Sequence, residues 1–144
     1  MKEKGFTLIE LLVVIGILAV LATVVLVAVS PGRQMAQARN SERWAEVNTL
    51  LNAIGQYQID NGALPSCIAT TTKCIGAGPC VGETTNCDLS GDLVPTYIAE
   101  LPKDSLTGTD ADNGYNVVTT GAPSYRVTVS APDAELGMTI SATR

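Results

Sequence analysis

The chain has 144 residues, 46% of them hydrophobic, with a formal charge of -5 and no histidine. An acidic balance without a clustered basic stripe argues against a broad nucleic-acid footprint. Lack of histidine removes the commonest general base and nucleophile activator. Gly76-Ala77-Gly78 lies among cysteines rather than between a strand and a helix, so it does not read as a phosphate loop, and no enzyme is expected.

The first element is an apolar run. Met1–Gly5 holds two lysines, and from Phe6 to Val29, 24 residues, the single charge is Glu10. As a helix the run measures about 36 Å, enough to cross a hydrocarbon core of about 30 Å. It is far longer than the roughly 7–15 apolar residues of a secretory signal peptide. A carboxylate inside a membrane span costs about 2.5–3.5 kcal/mol, so Glu10 reads as functional and in need of a partner. Nothing else in the run is expected to supply one. Lys2 and Lys4 place the leader in the cytoplasm by the positive-inside rule, while Arg33, Arg39 and Arg43 beyond the run weaken that vote.

The string Lys4-Gly5-Phe6-Thr7-Leu8-Ile9-Glu10-Leu11-Leu12-Val13-Val14 resembles the class III signal of type IV pilins and type II secretion pseudopilins. The resemblance implies cleavage between Gly5 and Phe6 by a prepilin peptidase and methylation of the new Phe6 amine. It implies that Glu10 meets the amine of a neighbouring subunit. It also implies storage as a single-pass inner-membrane protein, delivery by an assembly platform, and a helical polymer of this chain with other pilins or pseudopilins. The filament would stand on the cell surface or span the periplasm. Removing Met1–Gly5 would leave a side-chain charge of -6.

Ser30-Pro31-Gly32 interrupts the helical pattern, because proline removes a donor and disfavours helix at the preceding residue. A second helix is expected from near Gln34 to about Asp60. Trp44, Val47, Leu51, Ile54 and Gln58/Ile59 follow helical spacing with Leu50 and Tyr57 beside them, and Arg39, Arg43, Glu46 and Gln56 fall on other faces. Asn61-Gly62 is a stop signal. This divides the chain into a leader at 1–5, a membrane and filament-core helix at 6–30, an amphipathic helix at 31–62 and a head at 63–144.

The head opens with a segment of low periodicity holding Cys67, Cys74, Cys80 and Cys87. Outside the cytoplasm an even count reads as two disulfides. Three connectivities are open. Short loops favour Cys67–Cys74 with Cys80–Cys87, and a four-cysteine metal site is disfavoured by the lack of C-x2-C knuckles. After it, Tyr115–Thr119 and Tyr125–Ser130 read as a hairpin, and Met138, Ile140 and Ala142 as a last strand. The expected fold is α+β and pilin-like: a long N-terminal helix, apolar then amphipathic, packed on a small antiparallel sheet. Asp104, Asp110 and Asp112 lie in a glycine-containing loop and offer oxygen ligands of the kind Ca²⁺ takes; a solvated turn is the other reading. Type II major pseudopilins carry calcium in a comparable loop, although Ser105 stands where proline often follows the aspartate.

The function expected is a structural filament subunit, most simply of a type IV pilus. A secretion pseudopilin is the alternative, and a membrane-anchored binding module that never polymerises is a further one.

Overall fold

The computed structural model describes residues 5–28, 30–80 and 85–144. Leader residues Lys2 and Lys4, and Val29 at the end of the apolar run, lie outside the described residues. The chain forms two compact units, Met1–Met35 and Ala36–Arg144.

In the first unit, helix α1 spans Leu8–Ala28. It is rich in Leu, Ile and Val and has no polar stripe. None of Leu8–Val25 is buried in the protein, and this stretch is long and apolar enough to cross a membrane. A helix that is apolar all round and uncovered by its own fold suits lipid as its surroundings, where every backbone group must bond internally. Helix α2, Pro31–Asn61, begins at the proline itself. Pro31 takes the first helical position, where its missing N–H costs nothing, and the Ser30 carbonyl accepts from Gln34 N–H at 3.3 Å. The expected restart near Gln34 is thus three residues late.

In the second unit, α2 buries Ala36, Asn40, Arg43, Val47, Leu50, Leu51, Ala53 and Ile54, a stripe of three- and four-residue steps. Its lower half differs from the expected one. Arg43 and Asn40 point inward rather than to another face, Trp44 is half-buried, and Ile59 is 82% exposed. The apolar count alone missed this, because Arg43 is buried against a partner 61 residues away. Gly62, at φ 70°, closes the helix by donating to the Gln58 carbonyl.

A five-stranded sheet covers the stripe, in the order β2-β1-β3-β4-β5. The strands are β1 Lys73–Ile75, β2 Asn86–Cys87, β3 Asn116–Thr119, β4 Val127–Ala131 and β5 Ile140–Thr143, with a helical turn α3 at Ser90–Leu93 between β2 and β3. The β3–β4 and β4–β5 pairs are antiparallel, as is β1–β3, while β1–β2 is parallel. Strands β1 and β2 are too short to show a period of two. Val127, Val129 and Ala131 alternate inward as the pattern predicts. Tyr125 does not join them. It sits at φ 41° in the turn, donating its N–H to Gly121 O, and is exposed. Met138 is likewise a loop residue, its N–H bonded to Glu135 O. The core gathers Val47, Leu50, Ile54, Leu93, Tyr115, Val117, Val129 and Ile140.

The disulfides are Cys67–Cys87 and Cys74–Cys80, with Cα separations of 5.0 and 6.3 Å. This corrects the pairing favoured by loop length. Cys74 and Cys87 are on adjacent strands, but Cys74 aligns with Asn86. The one-residue offset leaves Cys87 to Cys67, and the Ile75–Cys80 loop folds back on Cys74.

Candidate functional site

Two places bear on the expected function among the described residues. The first is the N-terminal segment. Gly5, Phe6 and Thr7 precede the first helical turn, and Phe6 is 87% exposed, so the Gly5–Phe6 bond lies on open, non-helical backbone. Thr7 caps α1: its carbonyl accepts from Leu11 N–H, and its Oγ1 accepts from Glu10 N–H at 3.3 Å. Glu10 Oε2 in return accepts from Thr7 N–H at 2.9 Å and Thr7 Oγ1–H at 2.7 Å. This reciprocal pair is a capping box. It corrects the expectation that nothing in the run partners Glu10; Thr7-x-x-Glu10 was the missed signal. Both Thr7 bonds fall on Oε2. Among the described residues Oε1 accepts none.

The second place is a charge cluster in the head. Arg43 is 1% exposed and Asp104 3%. Arg43 Nε donates to Asp104 Oδ2, and its Nη2 donates to Oδ1 at 3.2 Å. Asp104 Oδ1 also accepts the N–H groups of Leu106 and Thr107, both at 2.9 Å. Burial alone would raise the Asp104 carboxyl, but the Arg43 bonds, the two amides and the Arg43 charge outweigh it and hold the group at about 2. From the other side, Arg39 grips Glu135 with two bonds of 2.6 Å, and Arg43 Nη1 reaches Glu135 at 3.3 Å. Asn40 donates to the Glu135 carbonyl and accepts from its N–H at 3.0 Å. Arg39's bonds chiefly keep Glu135 below its usual range. Tyr115 donates its hydroxyl to Glu46, whose carboxyl burial pushes up. No buried polar side-chain atom among the described residues lacks a partner.

The three loop aspartates have separate partners. Asp104 belongs to Arg43, Asp110 accepts from Lys103, and Asp112 accepts from Gly114 N–H at 2.9 Å. Asn40 and Arg43, neighbours on α2, were not joined to Asp104 and Glu135 because polar residues on three distant segments leave no local pattern. Both disulfides attach to the β1–β2 edge of the sheet, through Cys74 on β1 and Cys87 on β2.

Comparison with known proteins agrees with the N-terminal geometry. Residues 1–26 match the family model described as the prokaryotic N-terminal methylation motif. The chain is 28% identical over 137 residues to the type II secretion system core protein G of Escherichia coli (strain K12), covering 94% of this chain and 86% of that protein. It is 32% identical to the core protein G of Vibrio cholerae, covering 72% of this chain and 65% of the relative. With that of Pectobacterium carotovorum the figures are 33%, 76% and 65%. No solved structure matches. The role is structural rather than enzymatic. The exposed apolar helix, the methylation motif at its start and the α+β head fit the resemblance to type IV pilins and type II secretion pseudopilins.

Proposed function

We propose that this chain is a type II secretion pseudopilin of the core protein G kind. The observation that carries this is the similarity to core protein G along 94% of the chain, head included. It favours the pseudopilin alternative over a surface pilus. In this reading a prepilin peptidase cuts between Gly5 and Phe6, the Phe6 amine is methylated, and the chain waits in the inner membrane, held by α1. An assembly platform then adds it to a periplasm-spanning filament of this chain and other pseudopilins.

Glu10 sets the register. In an apolar medium an amine and a carboxylate each carry a desolvation cost, and pairing them offsets much of it. With Thr7 on Oε2, the carboxylate is already oriented, and Oε1 faces the task of accepting from the neighbour's Phe6 amine. Capping and register then act together. Beyond Glu10 the predominantly apolar α1 surface packs helix to helix.

Deleting the gene in its own cell tests the reading. A pseudopilin deletion retains exoproteins in the periplasm and leaves surface pili intact. Normal export with loss of surface pili would return the chain to the pilus reading.

A further inference from the structure

We infer that Cys74, Cys80 and Asp112 form a redox-gated site for a soft divalent cation of the zinc class, closed while the cysteines are bridged and open once they are reduced. The two sulfurs and one Asp112 carboxylate oxygen lie within 4.8 Å of one another. A separation of 6.3 Å between the cysteine Cα atoms lies toward the wide end for a disulfide.

What holds the three together is backbone, not the sulfur bond alone. Cys74 is on β1, paired with β2 on one side and β3 on the other. The loop after it is tied down residue by residue: Gly76 N–H donates to Cys87 O, Ala77 N–H to Asp110 O and Gly78 N–H to Ala111 O. Gly76 permits this approach, since a Cβ there would lie 2.1 Å from the Ala111 carbonyl oxygen. Cys80 follows two residues later. Asp112 is fixed by Thr109 Oγ1, which accepts from its N–H at 3.1 Å, and by the Gly114 N–H on its carboxylate. Breaking the S–S bond therefore leaves two thiols and a carboxylate facing each other.

Their surroundings suit a cation. The group lines a cavity of about 450 Å³ that also holds Asp133 and Asn116, with no basic side chain among its described walls. Two thiolates and a carboxylate supply three ligands, and the cavity leaves a fourth position for water, the tetrahedral arrangement zinc takes. The chemistry balances with a dithiol reductant. The reductant becomes a disulfide, the Cys74–Cys80 bond breaks and both sulfurs leave as thiols. The metal then displaces two protons to water, forming two metal–sulfur bonds and one to Asp112 oxygen. The loop is stapled in both redox states, by a bond or by an ion. This inference does not rest on the pseudopilin reading.

The test uses the full chain in detergent, reduced with a phosphine that is then removed without air, and titrated with Co²⁺ and Zn²⁺. The reduced chain binds one Co²⁺ with a thiolate-to-metal charge-transfer band that Zn²⁺ abolishes, and the oxidised chain shows none. The Cys67→Ser/Cys87→Ser chain keeps the band, and Asp112→Asn weakens Co²⁺ binding by about tenfold or more. Circular dichroism follows the fold throughout. A folded, reduced chain without the band overturns the inference. So does a band that survives Cys74→Ser/Cys80→Ser, an Asp112→Asn chain of unchanged affinity, or a fold lost on reduction that zinc does not restore.

Discussion

Arg43 and Asp104, 61 residues apart in sequence, form an ion pair whose side chains are 2% and 0% exposed, and it ties helix α2 to the loop before β3. Around it Glu135 is held from the same helix by Arg39 and Asn40, so three separate segments meet at one turn of α2.

Breaking that pair from one side leaves a buried charge without its counter-charge. Arg43→Ala or Asp104→Ala is expected to cost about 3–5 kcal/mol, and the double replacement less than the two single costs added. Thermal unfolding of the full chain in detergent measures this. Additive costs would mean that the two charges act separately.

The same pair sets an acid limit. The Asp104 carboxyl titrates at about 2 when folded, against about 3.9 unfolded. Its contribution is complete above about pH 5 and lost as pH falls through 2, about 2–3 kcal/mol in all. Denaturant melts between pH 5 and 2 are expected to show this loss in the wild type and not in Asp104→Asn. Glu46, raised by burial, works in the opposite sense: protonating it as pH falls adds stability.

Asn40 bonds both the N–H and the carbonyl of Glu135. Asn40→Ala strands two backbone groups, at a cost of about 1–3 kcal/mol for each that stays buried. Hydrogen exchange at Glu135 and Met138 is expected to quicken in that variant before exchange in β4 does. Equal acceleration everywhere would show only a global loss of stability.

A non-reducing peptide map is expected to return Cys67–Cys87 and Cys74–Cys80. The longer loop, closed across 20 residues, constrains the unfolded chain by about 3 kcal/mol, and the loop of 6 by about 2. Cys67→Ser/Cys87→Ser should therefore lower the melting temperature more than Cys74→Ser/Cys80→Ser. The reverse order would contradict the assignment.

Asp104, Asp110 and Asp112 are engaged with Arg43, Lys103 and the Gly114 amide. A calcium ion shared by all three would have to break the buried Arg43 pair. Millimolar Ca²⁺ is accordingly expected to leave the melting temperature unchanged. A clear rise, abolished in Asp110→Asn, would give these aspartates the calcium role their loop suggests.

The sequence showed most clearly what depends on neighbours along the chain. The apolar run, the Asn61-Gly62 stop and the Val127/Val129 alternation need no distant partner, and each stands in the structure. The lower half of the α2 stripe was hidden, because Arg43 reads as a surface residue until Asp104 and Glu135 arrive to satisfy it. Cysteine pairing was hidden for a similar reason: it follows from the β1–β2 register, which two- and three-residue strands do not announce. Thr7 and Glu10 are a different case. Their capping box is legible as Thr7-x-x-Glu10, a local partner for a carboxylate whose charge also suits a distant one.

The central claim is that this chain is processed at Gly5–Phe6 and assembled through Glu10, and the intact mass of the chain recovered from its own cell tests it most directly. The account predicts a mature chain beginning at a methylated Phe6, about 4 Da light from two disulfides, in wild type and in Glu10→Ala alike, with only the wild type cross-linking into ordered oligomers. An uncut chain beginning at Met1 in cells that contain the peptidase, or oligomers unchanged by Glu10→Ala, would contradict it.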